Sequence, residues 1–427
     1  MARSKHGFLC ALAVLVALSS LSLGQGLPKA SPKSVGLSQD RLDRITAVMQ
    51  RHVDEGLLAG AVAMVAREGK VAYFQCVGMQ DREKQIPMTP TTIFRIASMS
   101  KAITSVAVMM LYEEGKFRLS DPVSKFIPEF ADVKVLAPGD PSAQDGVVAA
   151  RRPITIRHLL THTSGLTYQW DDRVGKLYAE AGITHGLIQD EDSLAEDMKK
   201  LARIPLVHQP GEAFTYSLST DVLGRVVEVA SGMPFDEFLQ KRIFAPLKMN
   251  DTGFRLPESK VSRLAAVYSP GADGGLQRLP DGVLGEGNMK ASVDYPYAGT
   301  HNYRSGGGGL CSTVPDYARF IQMMLNKGEL DGVRLLSPKT VEMMSTDQIG
   351  DLNRDMGFGL GFGVTRNLRE SELTSVGAYR WGGYWYTTFF IDPSEKMIGV
   401  CMAQISPSGK ATLNDQFEAL AHQAIVE

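Results

Sequence analysis

The sequence is poor in cysteine, which limits how its fold can be stabilised. It contains four cysteines in 427 residues, and one of them, Cys10, lies in the N-terminal apolar stretch. The other three, Cys76, Cys311 and Cys401, allow at most one disulfide, so a disulfide framework is excluded. Small buried side chains on strands are the favoured role for these cysteines. Because 44% of the residues are hydrophobic, we expect a large core to hold the fold instead.

A charge excess of either sign is also missing. Lysine and arginine number 45 against 47 aspartate and glutamate, which gives a formal net charge of -2. No basic patch marks a nucleic-acid partner, and no Lys/Arg run marks an anionic membrane surface. These absences leave a small, roughly neutral molecule as the expected binding partner.

Long hydrophobic runs are absent as well. One apolar stretch, residues 8–18, follows Arg3, Lys5 and His6 and precedes small residues up to Gly24. This pattern predicts a secretory signal peptide at residues 1–24, since the run is too short to span a bilayer. We therefore expect an exported protein, periplasmic or secreted, whose chain 25–427 has no stable membrane span. The oligomeric state stays open.

The order of predicted elements indicates the fold class. Apolar spacing predicts a first helix between Ser38 and Gly56, and β-rich runs at 59–66 and 71–77 predict a hairpin. Helical patterns dominate the middle of the chain, and strand patterns return after residue 357. We expect an α/β fold of α+β type, with an antiparallel sheet flanked by helices and built from both chain ends. The sheet lobe would span about 28–115 and 304–427, and a mostly helical lobe about 116–303.

Two long segments, 137–152 and 271–300, carry Pro, Gly and Asp between the predicted helices. Each could border a substrate cleft or form a variable surface loop, and the sequence does not decide between them.

Residues 98–101, S-M-S-K, form an S-x-x-K element at the start of a predicted helix. A spacing of three places Ser98 and Lys101 on one helix face. An alcohol is a poor nucleophile until a base takes its proton, and a lysine in a dry setting can act as that base. A capping serine followed by a surface lysine explains the same four residues equally well.

The surrounding segments carry a more specific pattern. They read TTIFRIASMSK at 91–101, LSDPV at 119–123, ITIRHLLTHTSGL at 154–166 and FTYSL at 214–218. Together they resemble the serine β-lactamase and penicillin-binding-protein superfamily, and most of all class C enzymes and the family VIII carboxylesterases. The resemblance spans about residues 35–404 and implies the β-lactamase/transpeptidase-like fold.

The resemblance also implies roles for individual residues. Tyr216 matches the tyrosine that moves protons among the serine, the leaving group and water, with Lys101 nearby. Two positions later, Leu218 stands where the family commonly has an amide that binds the acylamido group of the substrate. Amide-rich β-lactams should therefore lose a contact.

A third family element is a strand with a cation followed by two small residues. Here it reads Trp381, Gly382 and Gly383, so the cation that receives the β-lactam carboxylate is missing. The resemblance makes the N–H of Tyr384 the second oxyanion donor, beside the N–H of Ser98. Trp381 either shapes an apolar pocket, as in the esterase branch, or packs against the sheet.

Other catalytic motifs do not fit. His158 and His162 lie four residues apart without the Glu of an H-E-x-x-H zinc site, so no metal is expected. The glycine run at 305–309 lacks the lysine of a phosphate-binding loop and is interpreted as a structural turn. No G-x-S-x-G elbow occurs, and no cofactor is implied.

These observations predict a serine hydrolase that cleaves small carboxylic esters through an acyl-enzyme on Ser98. A β-lactamase or D-amino-acid peptidase (DD-carboxypeptidase) acting on amides is one alternative. A non-catalytic, penicillin-binding-like protein of the cell envelope is another.

Overall fold

The structure is a computed structural model. It describes residues 26–137, 139, 146–188, 191–271, 274–285, 290–369 and 372–427. The predicted signal peptide at 1–24 lies outside these residues, as do parts of both long segments. Among the described residues, none of the helices combines the length and the apolar character needed to cross a bilayer.

Within the described part of the chain, an eight-stranded antiparallel sheet forms the centre of the fold. Its strands are β1 (Gly60–Arg67), β2 (Lys70–Asp81), β3 (Ile86–Pro87), β4 (Gly357–Phe358), β5 (Gly363–Val364), β6 (Tyr379–Gly383), β7 (Thr387–Asp392) and β8 (Met397–Met402). The order across the sheet is β4-β5-β6-β7-β8-β1-β2-β3. Strand β1 pairs with β8, with Ala63 opposite Cys401. The expected antiparallel sheet built from both ends of the chain is thus confirmed.

Eleven α-helices surround this sheet in the described residues. They are α1 (Gln39–Asp54), α2 (Ser100–Glu113), α3 (Ile156–Leu160), α4 (Gly175–Glu180), α5 (Leu194–Leu201), α6 (Ser219–Ser231), α7 (Phe235–Leu239), α8 (Glu258–Val261), α9 (Val314–Leu325), α10 (Pro338–Met344) and α11 (Leu413–His422). Helices α1 and α11 pack together on one face of the sheet, and α9 packs on the other face. The Ser38 side chain caps α1 as expected, by accepting from the N–H of Arg41.

Strand β1 is buried on both faces, which explains its unbroken apolar sequence. Val62 and Met64 point into the larger core with α2 and α9, whereas Ala63 and Val65 point into the core with α1 and α11. Successive strand residues face opposite sides of a sheet. A strand covered by helices on both sides therefore needs apolar residues at every position.

The turn between β1 and β2 follows from its sequence. Glu68 and Gly69 have φ values of 54° and 75°, and Arg67 pairs with Lys70 across the turn. Two central residues with positive φ are typical of a type I′ hairpin, in which glycine is favoured. The hairpin predicted at this position is confirmed.

Short two-stranded pairings join the remaining segments. They are Phe94–Arg95 with Cys311–Ser312, Lys134–Leu136 with Val147–Ala149, Tyr268–Pro270 with Leu276–Arg278, Val283–Leu284 with Ala291–Ser292, and Glu329–Leu330 with Val333–Arg334. Both long segments thus contribute strands to short hairpins. The first pairing holds the strand before Ser98 against the segment that follows the glycine run.

Candidate active site

Ser98 lies in a tight turn at the foot of α2. Residues Ala97–Met99 form a 3₁₀ turn that continues directly into α2. The regular helix therefore begins at Ser100, two residues later than expected. Ala97 has a φ of 41°, a conformation that costs an alanine about 1 kcal/mol or more. This bend directs the chain from Phe94–Arg95 into α2 and leaves Ser98 partly exposed.

Lys101 is buried beside the serine. Its side chain is 1% exposed, and its Nζ donates to the Oγ of Ser98 at 3.2 Å and to the carbonyl oxygen of Gly307 at 2.6 Å. A 3₁₀ turn brings side chains three residues apart into line, so the bend at Ala97 helps to align the two groups. The lysine expected as the base is thus in contact with the expected nucleophile.

Tyr216 approaches the same point from the segment that precedes α6. Its ring centroid lies 4.6 Å from the Nζ of Lys101, and its hydroxyl oxygen accepts a hydrogen bond from the indole Nε1 of Trp381 at 3.3 Å. The ring of His162 packs against it at 4.8 Å between centroids. The structure therefore brings Ser98, Lys101 and Tyr216 together, although Tyr216 is 118 residues after Ser98 in the printed sequence.

Strand β6 forms the opposite side of the site. Gly383, at its end, lies against the backbone that precedes the nucleophile: an ideal Cβ on Gly383 would be 2.3 Å from the carbonyl oxygen of Ile96. A glycine is required for this close approach. Tyr384 follows in the turn to β7, with its side chain 47% exposed.

A cavity of about 370 Å³ opens at Ser98. The described residues that line it are Ser98, Tyr168, Trp170, His185, Leu187, Tyr216, Gly307, Gly308, Trp381, Gly382 and Tyr384. Among the expected site residues, Lys101, Gly383 and Leu218 do not line this cavity. Leu218 is fully buried in the larger core, so the third position of the tyrosine element presents no side chain to a ligand here. The structure corrects its expected place at the substrate.

Two aromatic side chains that the sequence did not point to form one wall. Tyr168 and Trp170 stack with 4.3 Å between ring centroids and 28° between planes. Trp170 is 51% exposed at the mouth, which is unusual for so large an apolar ring. Both residues lie in a loop without hydrophobic periodicity, so no pattern marked them.

Gly307 was also missed as a site residue. The glycine run at 305–309 does form a turn, but it also supplies the carbonyl that accepts from Lys101. The run carries no motif for this role. This role of the glycine run becomes visible only from its packing against α2.

Burial determines the protonation of the histidines near the cavity. Burial lowers the pKa of His185 to about 4. Burial and then the positive charge of Lys101 hold the pKa of His162 well below its usual range. Both rings are therefore neutral at pH 7. Burial also raises the pKa of the Tyr168 phenol, and the neighbouring Tyr216 and Asp221 add to this effect.

Possible metal ligands do not gather in the part of the chain that the structure describes: no group of three or more His, Cys, Asp or Glu side chains is found there. His158 accepts from the N–H of Thr155 at the start of α3, and the Nδ1 of His162 lies 3.1 Å from the hydroxyl of Ser217.

Comparison with known proteins places these features in a family. A family model described as Beta-lactamase matches residues 45–423. Esterase EstB of Burkholderia gladioli is 34% identical over 365 residues, which cover 82% of this chain and 86% of the relative. Lovastatin esterase of Penicillium rubens is 30% identical over 387 residues, with 82% and 90% covered. The solved structure of EstCE1, described as a hydrolase with promiscuous acyltransferase activity, superposes with a TM-score of 0.78 at 29% identity, covering 91% of this chain and 99% of that one.

The fold and the serine-containing cavity are those of a β-lactamase-fold serine hydrolase. The chain belongs to the β-lactamase family, the superfamily of serine β-lactamases and penicillin-binding proteins, and it is a serine hydrolase with esterase relatives.

Proposed function

We propose that this chain is an exported esterase that hydrolyses small, neutral carboxylic esters through an acyl-enzyme on Ser98. One observation carries the proposal: Ser98, Lys101 and Tyr216 meet at a cavity whose described lining contains no Asp, Glu, Lys or Arg and whose one histidine, His185, is neutral at pH 7. An uncharged, largely aromatic cavity favours a neutral ligand, because a buried charge without a partner is costly.

The contacts support a defined sequence of steps. Lys101 takes the proton of Ser98 as Oγ attacks the ester carbonyl carbon, and the N–H groups of Ser98 and Tyr384 stabilise the oxyanion. The tetrahedral intermediate collapses, and the alcohol leaves with a proton delivered through Tyr216. Water then attacks the acyl-enzyme by the same route, which releases the acid and restores the Ser98 hydroxyl.

Anionic substrates fit this site less well. A β-lactam carboxylate or a peptide C-terminus needs a cation in the cavity lining, and the described lining contains no Lys or Arg. At the family's usual position for that cation, Trp381 presents an indole instead, and this indole donates to Tyr216. The peptidase and β-lactamase alternatives therefore rank below the esterase. Export rests on the N-terminal sequence, and the periplasm or the medium is the proposed location.

The test compares a short p-nitrophenyl ester with a chromogenic cephalosporin, using wild type, Ser98→Ala and Lys101→Ala. We expect ester turnover that falls at least about a thousandfold in both variants, with little cephalosporin turnover. Lys116→Ala, which removes an exposed lysine beyond α2, is the matched control and should keep wild-type rates.

Each other result points to a different conclusion. Ester turnover that survives Ser98→Ala would refute the nucleophile, and turnover that survives Lys101→Ala would refute the base. Cephalosporin turnover above ester turnover would favour the β-lactamase alternative. Failure of Ser98 to react with a fluorophosphonate, measured by intact mass, would favour a non-catalytic envelope protein.

A further inference from the structure

Asp221 is a fully buried carboxylate that the steps above do not use. It lies in the first turn of α6, five residues after Tyr216, with 0% of its surface exposed. Its Oδ1 accepts from the hydroxyl of Ser305 at 2.5 Å and from the hydroxyl of Tyr303 at 3.2 Å. Carboxylates are rarely buried to this extent unless they are paired or have a function.

One glycine separates this carboxylate from the catalytic lysine. An ideal Cβ on Gly307 would lie 2.4 Å from the Oδ2 of Asp221 and 3.4 Å from the Nζ of Lys101. The Gly307 carbonyl accepts from that same Nζ. Among the described residues, no carboxylate oxygen lies within 4 Å of the Lys101 Nζ, so Lys101 has no direct ion pair there. The carboxyl group and the amine therefore face each other across a single backbone unit.

The other titratable groups around the pair do not provide a counter-charge. They are Tyr168, Tyr303, His162, Tyr216 and Asp197. Burial raises the pKa of Tyr168 and of Tyr303 and lowers that of His162, so these three are neutral at pH 7. Asp197 pairs with Lys200 at 3.3 Å.

Asp221 lies close enough to Lys101 to feel its positive charge. Burial raises the pKa of Asp221, while the Ser305 hydrogen bond and the positive charge of Lys101 oppose that rise. In general, an ionised carboxylate close to an amine favours the charged form of that amine.

We propose that Asp221 is a positioning residue that acts through Lys101: across Gly307 it stabilises the lysine ammonium and so sets the pH above which Lys101 can take the proton of Ser98. The inference rests on the proposed function for the roles of Ser98 and Lys101, but not on the class of substrate.

The test measures how fast a fluorophosphonate labels Ser98 as a function of pH, by intact mass, in wild type, Asp221→Asn, Ser305→Ala and Asp392→Asn. Labelling needs only the nucleophile and its base. We expect the acidic limb of the profile to move about one pH unit lower in Asp221→Asn, because loss of the carboxylate favours neutral lysine. Ser305→Ala should move it part of the way, since the remaining carboxylate ionises less readily.

Asp392→Asn controls for the removal of any buried carboxylate, because Asp392 pairs with His422 on the far side of the sheet. The acidic limb of the pH profile of Asp392→Asn should coincide with that of wild type. An unmoved limb in Asp221→Asn, or an equal movement in Asp392→Asn, would overturn the inference. If Asp221→Asn does not fold, an unmoved limb in Ser305→Ala would overturn it. Labelling of Ser98 without ester turnover would instead contradict only the proposed substrate.

Discussion

The indole of Trp381 donates a hydrogen bond to the phenolic oxygen of Tyr216, with 3.3 Å between Nε1 and the oxygen and 5.4 Å between the ring centroids. Trp381 comes from β6, and Tyr216 from the segment before α6. At the strand position where the family usually has a cation, this chain has a neutral donor. That donor contacts the tyrosine expected to move protons.

This contact predicts the effect of Trp381→Phe. The variant keeps an aromatic ring but loses the donor, and a neutral hydrogen bond contributes about 0.5–1.5 kcal/mol. We expect kcat/KM for a p-nitrophenyl ester to fall by about 2- to 10-fold. Tyr112→Phe, at a ring on α2 that does not line the cavity, is the control and should keep the wild-type kcat/KM. Equal rates for wild type and Trp381→Phe would show that the contact has no role in turnover.

The packing of Gly307 makes a second prediction. In Gly307→Ala, the new Cβ would overlap the Asp221 carboxylate at 2.4 Å, so the carbonyl that positions Lys101 must shift. A displacement of about 1 Å at a catalytic group can cost about a hundredfold in rate. We expect kcat to fall by about 10- to 100-fold, with about 1–3 kcal/mol lost in stability from overpacking.

The matched control is Gly253→Ala. There the carbonyl oxygen of Arg255 is the nearest atom to the new Cβ, at 3.8 Å, so kcat and the thermal midpoint should both stay close to wild type. A wild-type kcat in Gly307→Ala would contradict the role assigned to the Gly307 carbonyl.

The stacked pair at the cavity mouth predicts a substrate preference. Trp170 offers an exposed face beside Tyr168, and aromatic contacts contribute about 0.5–1.5 kcal/mol. Trp170→Ala should therefore raise KM for phenyl esters by about 2- to 10-fold and leave KM for alkyl esters of the same acid nearly unchanged. Equal changes for both ester series would mean that Trp170 does not stack on the substrate.

The neutral His185 predicts how stability depends on pH. Its pKa is about 4 in the folded chain and about 6.5 when unfolded. Below pH 6.5 the unfolded chain binds a proton that the folded chain does not, so the free energy of unfolding decreases as pH falls from about 6.5 to 4. For this one group the loss at pH 5 is about 2 kcal/mol.

His185→Asn removes this titration. The asparagine oxygen can still accept from the N–H of Leu187, as the Nδ1 of His185 does. Urea unfolding at pH 7 and pH 5 should show a smaller difference between the two pH values in His185→Asn than in wild type. An identical pH dependence in both proteins would rule out this titration as a source of acid sensitivity.

Local sequence patterns were enough to predict several elements. The β1–β2 turn and the cap of α1 depend on residues that are neighbours in the chain, so their positions were predictable. Ser98 and Lys101 were predictable for the same reason, because their contact is set by a spacing of three. The 3₁₀ start of α2 was not, since it depends on the bend at Ala97, and alanine carries no signal for a positive φ.

Contacts between distant segments were beyond what spacing could predict. Trp170 and Gly307 reach the cavity because of how their loops pack, and Leu218 turns inward because the chain enters α6 at that residue. The tyrosine element gave the position of Tyr216. It could not give the direction of the side chain two residues later.

The pairing of β1 with β8 has a consequence for biosynthesis. Strand β1 ends at residue 67 and its partner begins at residue 397, so about 330 residues must be translated before this pair can form. At typical rates of about 5–20 residues per second, one edge of the β1–β2 hairpin stays unpaired for roughly half a minute. Trp381 is also synthesised late. The active site is therefore incomplete until nearly the whole polypeptide has left the ribosome. Enzymatic activity therefore requires that nearly the whole chain has been made and folded.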